Sequence, residues 1–135
     1  MAIAMAEHPH VMLVRKSYDA LFHADLDALR ELMTADVTHH VPGSHPVSGD
    51  FKGQDAVIGM YRRLFQESSG SLRADLRSVF VDGRGHAVAL HHVTAEREGR
   101  RYHEDGCLVF RIVGDKITDI DACVPDIDLD NAFWS

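Results

Sequence analysis

The sequence predicts a single α+β domain, in which three helices pack on one face of a curved sheet. Three observations point there. The helical signals all fall in the first half of the chain, and from residue 71 the hydrophobic period changes to two. The turn signals DGRG (82–85), EGR (98–100) and GDK (114–116) then divide the second half into strands.

Each element has its own justification. Pro9 suits a first helical turn, and Val11, Val14, Tyr18, Leu21 and Phe22 recur at three- and four-residue steps. Asp25 is a good N-cap for a short second helix whose stripe is Leu26, Leu29, Leu32 and Met33, with Asp27 in its positive first turn. Residues 37–41 read as a strand, and the loop PGSHPVSGDFKG follows. A third helix spans about Gln54 to Glu67, with Val57, Tyr61, Leu64 and Phe65 on one face. Leu72, Ala74, Leu76 and Phe80 then alternate with Arg73, Asp75 and Arg77 as a half-buried strand. Strands from His86 to Glu96, from Arg101 to Val113, and one ending near Val124 complete the meander. In the acidic tail DIDLDNAFWS the aromatics Phe133 and Trp134 are expected to pin the chain to the body or to a partner subunit.

Composition narrows the function. A chain of 135 residues, 45% hydrophobic and 26% charged, is expected to be one domain over 1–135. A net charge of -7 argues against nucleic acid and against an anionic membrane surface. MAIAMAEHPH lacks the pattern of a signal peptide, and no segment approaches membrane-spanning length. Cys107 and Cys123 share no metal-type spacing and read as reduced, buried thiols of a cytoplasmic protein. The sequence has ten histidines but no HExxH or facial-triad spacing, GxSxG, Walker loop or dinucleotide fingerprint, so no metal and no cofactor is expected.

The order of elements, with HHVPGSHPVSGDFKG, the turn GDKITDI and the ending FWS, resembles the SnoaL-like group of the nuclear transport factor 2-like superfamily. That superfamily also holds ketosteroid isomerase, scytalone dehydratase and limonene epoxide hydrolase. The resemblance covers nearly the whole chain and implies a cone-shaped α+β barrel. A strongly curved, mixed or antiparallel sheet would wrap the helices around an apolar pocket, with pairing into a homodimer through the sheet's outer face. The sequence departs from ketosteroid isomerase at its working positions. With Asp25 and Asp36 matched to that enzyme's aspartates, its general base falls at Val41, its oxyanion aspartate at Leu108 and its tyrosine at Ser17, beside Tyr18. A one-residue slip in the loop places the base at His40 instead.

Strand parity selects the candidates. Val37, His39 and Val41 share one face, so His39 is the pocket-facing acid/base candidate; a core histidine bonded to a backbone carbonyl is the alternative. Asp121 is the candidate acid partner, because relatives carry a large pocket-lining residue at its position. The opposite reading, with the Ile120 face buried and Asp121 in solvent, stays open. Tyr18 is placed to hold an oxyanion. The expected substrate-binding wall comes from Phe22, Val41, Tyr61 and Phe65, and from the sheet. Large Val88 and Leu90 put His92 inward, and Tyr102, Leu108 and Phe110 share the parity of Glu104. A bulge at Gly106 would turn His103 and Asp105 inward instead. The resulting expectation is a cofactor-independent isomerase, cyclase or dehydratase acting on a small hydrophobic carbonyl compound, polyketide- or steroid-like. A non-catalytic binding or dimeric scaffold protein of the same fold is the alternative. Epoxide hydrolysis ranks lower, because it needs an arginine flanked by two aspartates inside the cone.

Overall fold

The computed structural model describes residues 7–135; most of the N-terminal stretch inspected for a signal peptide, residues 1–6, lies outside the described residues. The first helix, α1 (Pro9–Phe22), starts with proline at its first position, where no backbone N–H is needed. In the second, α2 (Leu26–Glu31), the Asp25 carboxylate accepts from the Ala28 N–H at 3.1 Å. Strand β1 (Met33–Val41) begins earlier than its apolar run, because Met33 pairs with Ile117. Strand β2 (Gly49–Lys52) lies within the stretch read as loop; four residues are too few to show a period. Helix α3 (Gln54–Glu67) falls where it was expected. Strands β3 (Arg73–Val81), β4 (His86–Arg97), β5 (Arg100–Val113) and β6 (Lys116–Cys123) form the meander, and the tail is a helix, α4 (Ile127–Trp134).

The six strands run in the order β2-β1-β6-β5-β4-β3. β1 and β6 pair in parallel and the other neighbours antiparallel, so the sheet is mixed. The edge strands β2 and β3 do not meet, and the sheet stays open instead of closing into a barrel. Its concave face is occupied by α1 against β3 and β4, and by α3 against β1 and β2. Among the described residues, no helix is long and apolar enough to cross a membrane.

Three details of register fix which side chains face inward. On β4 the buried residues are Ala87, Ala89 and Ala95, while Leu90 is 40% exposed. Where α1 lies close to β4, only small side chains fit beneath it, so residue size does not mark the inner face. His91 therefore points in and His92 out, the reverse of the sequence expectation. The β4–β5 ladder runs unbroken from His86↔Arg111 to Arg97↔Arg100, so Gly106 forms no bulge and His103 and Asp105 stay outside. On β3 the register shifts between Leu76 and Ser78, which turns Phe80 outward to 59% exposure. Phe80, Val88 and Leu90 thus lie on the outer face, where the homodimer contact was expected.

The turn between β4 and β5 grips α4. Arg97 Nη1 donates to the Ser135 carbonyl at 2.6 Å, and Arg100 Nη1 to that of Ala132 at 2.6 Å. Two cations thus sit at the negative end of the helix dipole. Asp126 caps the other end by accepting from the Leu129 N–H at 3.1 Å.

Gly85 has φ +101°, and a Cβ there would lie inside van der Waals contact of the Ile112 carbonyl oxygen. Gly85→Ala is expected to cost about 2 kcal/mol or more from left-handed backbone and overlap together. Urea denaturation checks this, and an unchanged midpoint contradicts it.

Candidate functional site

Side chains from α1, α3 and the inner faces of β1 and β3–β6 line a cavity of about 130 Å³. His45, from the loop before β2, and Asp130 and Trp134, from α4, complete its wall. The lining is mainly apolar, and three of its polar clusters each include a tyrosine; His45 stands apart, its Nδ1 accepting from the Val47 N–H at 3.2 Å.

The first pair is His39 with Tyr61. His39 is 2% exposed, and its Nε2 lies 2.6 Å from the Tyr61 hydroxyl. Its Nδ1 lies 3.3 Å from the His40 carbonyl, which can only accept. The Nδ1–H form follows, with Tyr61 donating to Nε2. Burial holds the His39 pKa down at about 4, so the ring is neutral near pH 7.

The second pair is Tyr18 with His91. The phenol oxygen lies 2.7 Å from His91 Nδ1. Burial lowers the His91 pKa to about 4 and raises that of Tyr18, leaving both groups neutral. No carbonyl pins the His91 tautomer, so Nδ1–H can donate to Tyr18 while the phenol hydrogen turns toward the cavity. Gly106, the cross-strand partner of His91, makes room for the ring: a Cβ there would lie 3.3 Å from Nε2.

The third group joins Tyr102, Glu104 and Asp130, each buried. The Tyr102 hydroxyl meets Glu104 Oε1, and also Asp130 Oδ1 at 3.0 Å. One phenol hydrogen cannot serve two carboxylates, so one of the two acids keeps its proton. Burial, then the nearby Asp130 carboxyl, push the Glu104 pKa up to about 7, and burial raises that of Asp130 as well. Glu104 Oε2 is buried and has no hydrogen-bond partner among the described residues.

Of the residues expected here, Tyr18, Phe22, His39, Val41, Tyr61, Tyr102 and Leu108 line the cavity. Phe65, His92, Phe110 and Asp121 do not. Phe65 packs edge-on against Phe22, with ring centroids 6.1 Å apart, behind the wall. Phe110 is 1% exposed in the core, opposite Ala87 and Ile120. His92 faces outward and binds Asp105 at 2.8 Å. Asp121 is exposed, because Ile120 and Ala122 take the inner face of β6. His40 also lies outside, 2.6 Å from Asp50, so the slipped loop alignment has no route into the cavity. His91, Glu104, Asp130, Trp134 and His45 also line the cavity and are not among the expected site residues, although Glu104 shares the parity of Tyr102. The inward alanines mark the parity of His91, but nothing in the acidic tail marks Asp130 as buried.

Residues 14–120 match the SnoaL-like domain. The chain belongs to the SnoaL-like family. It is 25% identical over 131 residues to an uncharacterized protein of Mycobacterium tuberculosis, covering 97% of this chain and all of that one. Among solved structures it resembles Bal32a, from a soil-derived mobile gene cassette. That match has a TM-score of 0.91, 29% identity and coverage of 94% and 97% of the two chains. It also resembles TerC co-crystallised with polyporic acid, with a TM-score of 0.83, 15% identity and coverage of 94% and 98%. The family supports small-molecule binding or isomerase- and cyclase-type chemistry in this SnoaL-like chain.

Two outcomes follow from these pairings. Tyr61→Phe leaves His39 Nε2 buried without a donor, and is expected to lower unfolding free energy by about 1–3 kcal/mol in urea. An unchanged midpoint would remove the pairing. Glu104 in the folded chain holds its proton up to about pH 7, against 4.5 in the unfolded chain. The folded state therefore binds the extra proton in that window, and through this group stability falls as pH rises. His39 and His91 act oppositely, adding stability as pH rises from about 4 toward 6.5. The melting temperature of the wild type relative to Glu104→Gln should thus decline between pH 4.5 and 7. A flat difference contradicts the raised pKa.

Proposed function

We propose that the cavity moves a proton next to the carbonyl of a small apolar molecule, the step common to isomerisation, cyclisation and dehydration without a cofactor. The observation that carries this reading is Glu104 Oε2, buried on an apolar wall with no partner of its own. A pKa near neutrality lets that carboxyl both accept and return a proton at working pH. Tyr102 and Asp130 hold it in place and share the remaining proton. Tyr18, with His91 donating to its oxygen, supplies a hydrogen bond to the developing enolate. His39 orients Tyr61 and takes no proton itself, since its Nε2 is already occupied.

Size narrows the substrate. A cavity of about 130 Å³ approaches the one of about 150 Å³ that holds benzene in another protein, so a single ring or a short branched chain fits. TerC, similar in fold, is co-crystallised with polyporic acid, which supports an organic occupant here too. Among the described residues no arginine lines the cavity, which leaves the arginine-centred epoxide hydrolysis without its central group.

Cyclic ketones incubated with the protein in deuterated water are expected to exchange hydrogen at the carbon beside the carbonyl, read by mass spectrometry. Glu104→Gln and Tyr102→Phe should each slow the catalysed exchange by about 100-fold or more. If wild type gives no exchange above buffer while the same ketones still quench Trp134 fluorescence, the cavity binds without catalysing.

A further inference from the structure

Cys107 and Cys123 are direct partners on adjacent antiparallel strands, and their pairing is the last rung of the β5–β6 ladder. Beyond it β6 ends, Val124 and Pro125 leave the sheet, and α4 begins at Ile127. The segment of β5 from Arg100 to Gly106 has no strand on that side among the described residues. The cysteine pair therefore stands at the fork where the two strands separate. Leu108 and Ala122, the next rung, face the cavity, and strand alternation turns the two thiols toward the other face of the sheet, while both cysteines also contribute to the cavity's wall. There they border an outer cleft with Arg77, Leu90 and Pro125.

The geometry suits a covalent link. Opposed residues of an antiparallel pair have Cα atoms about 4.5–5.5 Å apart, inside the range of about 4.4–6.8 Å that disulfides span. Both cysteines carry free thiols, Cys123 exposed and Cys107 half-buried. Burial and the adjacent Cys123 thiol both raise the Cys107 pKa, which disfavours Cys107 as the first nucleophile.

We propose that Cys107 and Cys123 form a reversible dithiol–disulfide site, oxidised by low-molecular-weight disulfides. The Cys123 thiolate attacks one sulfur of a small disulfide, forming a mixed disulfide and releasing one small thiol. Cys107, deprotonated as it attacks, then displaces the second small thiol from Cys123. Two protein thiols are oxidised, and one small disulfide is reduced to two thiols. The new bond fixes the fork from which α4, carrying Asp130 and Trp134, departs toward the cavity.

The test is incubation of the reduced full chain with glutathione disulfide, followed by non-reducing digestion and mass spectrometry. The expected result is loss of both free thiols, a Cys107–Cys123 linked peptide, a single-chain mass on a non-reducing gel, and a melting temperature raised by several degrees. Dithiothreitol should return both thiols and the lower melting temperature. Cys107→Ser should stop at a glutathione adduct on Cys123, with no rise in melting temperature. A lasting glutathione adduct on the wild type, a link between two chains, or thiols that stay free would each overturn the proposal.

Discussion

The hydroxyl of Tyr102 carries one hydrogen and meets two carboxyl oxygens, those of Glu104 and Asp130. Two bare carboxylates so close together in an apolar interior would repel, and neither could be solvated. A retained proton resolves this, and the site takes its character from it: a buried acid at one end of the cavity. The same rule governs the other two pairs. Tyr61 meets the acceptor nitrogen of His39, and Tyr18 meets His91, so each buried imidazole is neutral and paired. Most of the cavity's polar groups are satisfied through a tyrosine, which makes polarity affordable in an apolar wall.

Asp130 can join this arrangement only because the tail returns to the sheet as a helix. Arg97 and Arg100 flank the β4–β5 turn and bind the last carbonyls of α4, and Asp126 satisfies its first N–H groups. Phe133 stacks on Tyr102 with centroids 4.7 Å apart, so the ring that holds the acid pair is itself held by the tail. A change in the β4–β5 turn therefore reaches the cavity without any residue of that turn lining it.

The sequence made the elements legible wherever a period ran for eight residues or more, as in α1, α3 and the strands of the meander. It failed for β2, whose four residues are too short to show alternation, and for α4, whose acidic run hid a cap at Asp126 and one buried carboxylate. At the site, His39, Tyr18, Tyr61, Tyr102 and Leu108 were readable because parity along an unbroken strand or a helical stripe is reliable. His91 was misread because residue size was taken to mark the inner face. Beneath a helix the inner residue is small, and Ala87 and Ala89 carried that information in plain sight. Asp121 was drawn inward by the resemblance, against the bulkier Ile120 that marks the buried side of β6. Asp130 had no signal, because its burial depends on contacts from β5 that no local pattern encodes.

The parallel pairing of β1 with β6 has a kinetic consequence. Thr38 donates to Asp119 across 81 residues of sequence, and β6 is the only strand that separates β1 from β5. While the chain is being made, β1 and β2 can form their short ladder early, yet the inner edge of β1 stays open until β6, the last strand, emerges. Contacts of such long range carry a large loop-closure cost and slow the rate-limiting step. Until then His39 and Val37 have only half of their final surroundings. The cavity wall is therefore incomplete until β6 has paired with both β1 and β5.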